Sequence, residues 1–346
     1  MGCARSNLQS PIPNLNPGAT MTTLILDVAA ACAALKLDPR ARGLQIIDAD
    51  ALARRHFPHL DPDQPALIAR VSSRATARAC QRALGILYPR DHPITRVDAA
   101  GTRAPKIATQ ALAQAERAAK FTRQTMWYVP PRAQPGGLSA LGEVVAHLRA
   151  PEGCPWDRAQ THQSLRKDFL EECYEVLETL DANDIPHLRE ELGDLLLHIF
   201  LQAQIASESG EFLLTDVIAD VAAKLARRHP HVFGDAQVNG TDEIIANWER
   251  IKRAEKNGAP EHSPIPRALP ALARAQKIAK RGKIAATPRD VQIAVAKLTR
   301  AKNRGQAFGE ALFALTAFAA AQGIDAESAL RSVAAKRIGA TKNRIR

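Results

Sequence analysis

The chain has 346 residues, 46% of them apolar and 24% charged, with a formal net charge of +11. That length allows two or three domains, and that balance excludes a disordered or fibrous chain. No uncharged apolar run reaches the roughly 20 residues that span a bilayer, the first twenty residues hold no apolar signal core, and five scattered cysteines form no C-x-x-C pair. A membrane, secreted or disulfide-built protein is therefore not expected, and a reducing cytoplasm fits.

Residues 1–21 read as a disordered leader. Stretches 24–28 and 43–47 look like short strands, 68–87 mixes helical and apolar runs, and 88–101 (YPRDHPITRVDAAG) reads as turn, strand and loop. This makes 22–130 a small α/β region. Pro135, Gly136 and Gly137 mark a linker at 131–137, and a proline-rich stretch marks another at 258–266. Between them apolar residues recur at three and four, so 138–257 is helical, and 267–346 is a further helical region. The whole is mainly α. Charge follows the same division: residues 136–262 hold 12 Lys and Arg against 23 Asp and Glu, whereas 263–346 hold 17 against 4. The acidic middle is where a cation site is expected, and the basic flanks are either solvated surface or a nucleic-acid contact.

The acidic segment has an internal geometry. Phe169, Leu170, Cys173, Val176, Leu177 and Leu180 repeat at helical spacing, as do Leu192, Leu195, Leu196, Ile199 and Phe200. Residues 181–186 between them read as a turn, with Pro186 in the first turn of the second helix. Glu172 and Glu175 are three apart, as are Glu191 and Asp194, so each pair shares a helix face. The pairs Glu175/Glu191 and Glu172/Asp194 are both centred on position 183, which puts them at two matched levels of an antiparallel hairpin. Four carboxylates this close repel one another unless a cation holds them, and all-oxygen ligands favour Mg²⁺ or Mn²⁺. Solvated acidic helix faces are the plainer alternative. A di-iron bundle expects Glu-x-x-His pairs, whereas His198 falls four after Asp194.

Downstream, Lys224, Arg227 and Arg228 share one face of a third helix that Pro230 ends. They either pair with local acids or clamp phosphates. Trp248 and Lys252 are four apart, and the Trp either stacks on a base or plugs a core. His229 and His231 read as residues of a helix end rather than metal ligands.

Several runs together resemble MazG-type nucleoside triphosphate pyrophosphohydrolases: Cys154-Pro155-Trp156-Asp157, Gln160-Thr161-His162, Leu170-Glu171-Glu172-x-x-Glu175, Glu190-Glu191-Leu192-Gly193-Asp194, Arg227-Arg228-His229-Pro230-His231-Val232-Phe233 and Asn247-Trp248-Glu249. The resemblance covers about 138–257. It implies an all-α helical bundle, usually dimeric, that needs Mg²⁺ and cleaves NTPs or dNTPs to the monophosphate and pyrophosphate. It further implies metal ligation by Glu172, Glu175, Glu191 and Asp194, with Glu171 or Glu175 taking a proton from water. Lys224, Arg227, Arg228 and Trp248 then contact the nucleotide, and Lys252, four after Trp248, is a further candidate for that contact. Residues 308–315 resemble the corresponding helix of a second half-domain, but Ala307 and Glu310 stand where the ligands belong, so this half-repeat is degenerate and structural. The stretch 88–102 resembles the C-terminal lobe of tetrapyrrole methylases, without the G-x-G-P-G-D loop that contacts S-adenosylmethionine. The expected role is nucleotide-pool house-cleaning. The alternative is a non-catalytic dimerisation protein whose basic C-terminal region binds nucleic acid.

Overall fold

The computed structural model describes residues 27–38, 43–99, 102, 104–118, 120–255 and 265–342; the expected leader and most of the second expected linker lie outside these. The chain divides into two compact units, residues 1–169 with 194–209, and residues 170–193 with 210–346.

The first unit opens with a helix, α1, at 27–35. The expected strand at 24–28 is corrected there: Val28 lies inside a helix that runs on through an alanine-rich segment, and alanine favours the helix over the strand. Then come β1 (Gln45–Asp48), α2 (Ala49–Ala53), β2 (Ala66–Ala69), α3 (Arg74–Leu84), β3 (Pro93–Asp98), β4 (Lys106–Ala111) and β5 (Met126–Val129). The sheet order is β1-β2-β5-β3-β4, with β1 and β2 parallel and the other pairs antiparallel. Capping sets the helix starts. The Asp48 carboxylate accepts from the N–H groups of Asp50 and Ala51 at 3.1 Å, and Ser73 Oγ accepts from Thr76 N–H at 3.1 Å.

β2 is apolar along its whole length because both its faces are covered. One face, with Ile68, Trp127 and Val129, packs on Leu52, Cys80 and Leu84 of α2 and α3. The other, with Leu67, Val97 and Met126, packs on Ala31 of α1. The result is a three-layer α/β region in which β4 is an exposed edge. The segment that follows is tied to it: the Asp63 carboxylate accepts from the N–H groups of Gly136 and Gly137 at 2.8 and 2.9 Å.

Helices α4 (Leu138–Arg149), α5 (Pro155–Arg158), α6 (Arg166–Ala182) and α7 (Ile185–Glu208) follow. The end of α7 is buried at Phe200, Leu201, Ala203, Ile205 and Ala206. Arg149, with a side chain only 6% exposed, donates to both carboxylate oxygens of Glu208 at 2.8 and 2.6 Å, locking α4 to α7.

The second unit holds the α6–α7 turn together with α8 (Leu214–Arg228), α9 (Pro230–Phe233), α10 (Thr241–Ala254), α11 (Ala271–Arg281), α12 (Pro288–Lys297), α13 (Arg304–Ala321) and α14 (Ala326–Lys342). α13 packs on α11 and α12. Buried Gln276 joins α11 to the loop before α14, donating to Ile324 O at 2.7 Å and accepting from Ala326 N–H at 3.1 Å. Arg331 of α14 reaches Asp181 in the last turn of α6 at 2.6 Å. Among the described residues the structure is mainly helical, and no single helix is long and apolar enough to cross a membrane.

Candidate active site

The expected hairpin exists, and its turn is built by two residues. Asn183 adopts φ 54°, the left-handed conformation that Asn tolerates better than most side chains, while Asp184 N–H donates back to Thr179 O at 2.9 Å. Asp184 then starts α7, accepting from His187 N–H at 3.3 Å and pairing with His187 Nδ1 at 2.6 Å. That contact holds the Asp184 carboxyl below its ordinary range and raises the His187 imidazole.

This turn brings three acids together. One carboxylate oxygen each from Glu172, Glu175 and Glu191 lie within 4.8 Å of one another. Glu172 and Glu191 are half-buried and Glu175 is exposed. Two oxygens on opposite sides of a shared Mg²⁺ are about 4.2 Å apart, given metal–oxygen distances near 2.1 Å. Small side-chain movements therefore suit the three acids to one hard cation, and an all-carboxylate donor set selects such a cation over zinc or copper. Asp194 stands one helical turn beyond Glu191 on α7 and is not a member of this group of three. Glu171 is exposed and adjoins Glu172 in sequence.

The basic residues form a second cluster on α8 and α10. Arg227 Nε donates to Glu255 Oε1 at 2.7 Å, and Arg228 donates to Glu255 Oε2 through Nε at 3.1 Å and Nη2 at 2.6 Å. The two guanidiniums, Arg228 foremost, hold the Glu255 carboxyl below the usual range. The Arg228 guanidinium lies 5.5 Å from the Trp248 ring centroid, and the His229 ring meets that Trp edge-on at 4.8 Å. Trp248 is thus half-buried against a guanidinium and an imidazole rather than sunk in a core. Lys252 pairs with Glu249 at 3.3 Å, and Lys224 is exposed. His229 closes α8, with Nδ1 at 2.7 Å from Leu225 O.

Sequence reasoning missed Glu255 altogether. Its signal was present: Trp248, Lys252 and Glu255 fall at i, i+4 and i+7, one face of α10 and its C-cap. It also missed Arg331, which no local pattern could have joined to Asp181 across 150 residues.

A helical hairpin presenting a carboxylate trio, followed by a Trp-backed arginine pair, defines a class of helical proteins with an acidic centre fit for a divalent cation. Residues 160–233 match the MazG nucleotide pyrophosphohydrolase domain. The chain is 38% identical over 212 residues to the nucleoside triphosphate pyrophosphohydrolase/pyrophosphatase MazG of Thermotoga maritima, covering 57% of this chain and 80% of that protein. The chain belongs to the MazG family. It is 47% identical over 148 residues to the Escherichia coli K12 nucleoside triphosphate pyrophosphohydrolase, covering 42% of this chain and 56% of that one. It is 40% identical over 257 residues to the uncharacterized protein YabN of Bacillus subtilis, covering 71% of this chain and 51% of that one. The chain thus spans about half the length of these last two relatives.

Proposed function

We propose that this protein hydrolyses the α–β phosphoanhydride of nucleoside triphosphates, giving the monophosphate and pyrophosphate. The observation that carries the reading is the convergence of Glu172, Glu175 and Glu191 on one hairpin. With Asp194 as the fourth ligand, these residues hold Mg²⁺, or Mn²⁺ in its place. When bound, that ion supplies Lewis-acid polarisation of the phosphate oxygens.

The remaining work falls to the chain's own groups. Glu171 or Glu175, both exposed to solvent, accepts the proton of the attacking water. Arg227 and Arg228 bind the polyphosphate, and Lys224 and Lys252 add charge where the leaving pyrophosphate becomes more negative. The Trp248 face orients the nucleoside. House-cleaning of the nucleotide pool follows from such an activity.

A second copy of the chain completes the assembly in this reading. α8 buries none of its residues, and its apolar Val217, Ile218, Val221 and Leu225 are each at least 40% exposed along one face. We read residues 22–130 as a methylase-like fragment and 267–346 as a degenerate half-repeat, neither taking part in the chemistry.

A panel of NTPs and dNTPs with Mg²⁺, read separately for pyrophosphate and orthophosphate, tests the proposal. Pyrophosphate and monophosphate in equal amounts are expected. Orthophosphate as the primary product, or no turnover together with salt-dependent nucleic-acid binding, contradicts it.

A further inference from the structure

Of the four cations assigned to the triphosphate, three are already engaged by carboxylates, and one carboxylate does most of this. Glu255 alone binds both Arg227 and Arg228, three N–H groups donating to its two oxygens at 2.6 to 3.1 Å. The third is Lys252, paired with Glu249. A carboxylate bridging two guanidiniums presents the same planar pair of acceptor oxygens as one edge of a phosphate. It also sits where there is little room for both: the Glu255 and Arg228 side chains are 19% and 18% exposed, and the Trp248 ring lies on another side of the Arg228 guanidinium.

We propose that Glu255 is a displaceable latch, a built-in anion that occupies Arg227 and Arg228 until the polyphosphate of a nucleotide takes its place. The proposal rests on the reading above that these arginines receive the triphosphate. Two features of the local structure suit it. Glu255 is the C-cap residue that follows α10, one turn beyond Ile251, so it can swing away without unwinding the helix interior. Arg227 is 53% exposed, which leaves an open side from which an anion approaches.

A latch of this kind acts as a uniform tax on anion affinity, because every ligand must first open it. Removing the charge therefore strengthens binding, which is the reverse of what the loss of a binding residue or of a brace does. It also keeps the arginine pair from capturing stray monoanions, and it helps expel the pyrophosphate product by competing for the same donors.

The test is a calorimetric titration of the full chain with inorganic tripolyphosphate in EDTA, comparing wild type with Glu255→Gln and Glu255→Ala, with helix content followed by circular dichroism. Both variants are expected to bind tripolyphosphate about three- to tenfold tighter, the range that the loss of two partly exposed ion pairs allows. In turnover assays KM for the nucleotide falls by the same factor, while kcat stays level or drops as product leaves more slowly. Replacing Arg227 and Arg228 by Ala in the Glu255→Gln background abolishes the gain. Unchanged or weaker binding with intact helices overturns the latch, and loss of helix content in both variants overturns it in favour of a structural brace. Wild type that hydrolyses no NTP while the variants still gain affinity removes the hydrolase reading and leaves the latch. Hydrolysis with unaltered affinity does the opposite.

Discussion

Neutralising Glu172 acts differently with and without a divalent cation, and the size of each contribution can be worked out. Glu172→Gln removes two carboxylate contacts, to Glu175 and Glu191, each within 4.8 Å. In a water-like dielectric each pair at that spacing repels by about 0.9 kcal/mol. Screening over a Debye length of about 8 Å roughly halves this, so relief of the two repulsions contributes about 1 kcal/mol to the metal-free variant, set against the other contacts that the Glu172 carboxylate makes. For a chain of 346 residues that contribution alone is about 1–2 °C in Tm. Saturating Mg²⁺ shifts the balance toward wild type, since a ligand at a hundred times its Kd stabilises the wild type by about 2.7 kcal/mol and the variant, lacking one donor, by far less. Differential scanning calorimetry in EDTA and in excess Mg²⁺ reads both effects. A Mg²⁺ shift equal in the two proteins refutes the reasoning.

Other consequences concern the first unit. Burial, with help from Asp50 and Asp48, pushes the Cys80 thiol up to about 12, so at pH 8 it stays protonated; mass spectrometry after iodoacetamide treatment of the native protein is expected to find Cys154 and Cys173 alkylated well before Cys80. Trp127 of β5 is fully buried in the core that the sheet shares with α2 and α3, and Trp127→Ala is expected to cost about 3–5 kcal/mol by urea denaturation followed through the sheet's far-ultraviolet signal. A Cβ on Gly153 would land on the carbonyl oxygens of His147 and Leu148, so Gly153→Ala is expected to lower Tm and to loosen the α4–α5 connection in hydrogen exchange. Arg149 holds the Glu208 carboxyl below its ordinary range, so that pair stabilises the fold above pH ~4.5 and ceases to do so as pH falls through the depressed folded value. Because Glu208 is 38% exposed, the contribution is under about 1 kcal/mol, and a pH series of melts with Glu208→Gln should converge on wild type in acid.

What could be read from the sequence was whatever a helix fixes by itself. Residues three apart share a face, so Glu172 with Glu175 and the place of Glu191 across the 181–186 turn were legible before any coordinates. Whether Asp194 joins them depends on how two helices cross, and spacing along one helix carries no crossing angle. The 24–28 stretch was ambiguous because a short apolar run fits strand and helix alike until its alanine-rich continuation is weighed. The strand β3 inside 88–101 and the helical character of 138–255 were both legible. The basic residues were legible as a cluster but not as an occupied one, since Glu255 follows the apparent motif and looks like any other helix-end acid. Contacts such as Arg331 with Asp181 are set by tertiary packing alone.

Binding of a hard cation by the hairpin acids is central to the proposed hydrolysis, and a direct titration of Mn²⁺ into the metal-free protein measures it. Followed by electron paramagnetic resonance of the unbound ion, wild type is expected to show saturable binding that Glu172→Gln and Glu191→Gln each weaken by at least tenfold, with Mg²⁺ competing. Equal Mn²⁺ binding by wild type and both variants would contradict it.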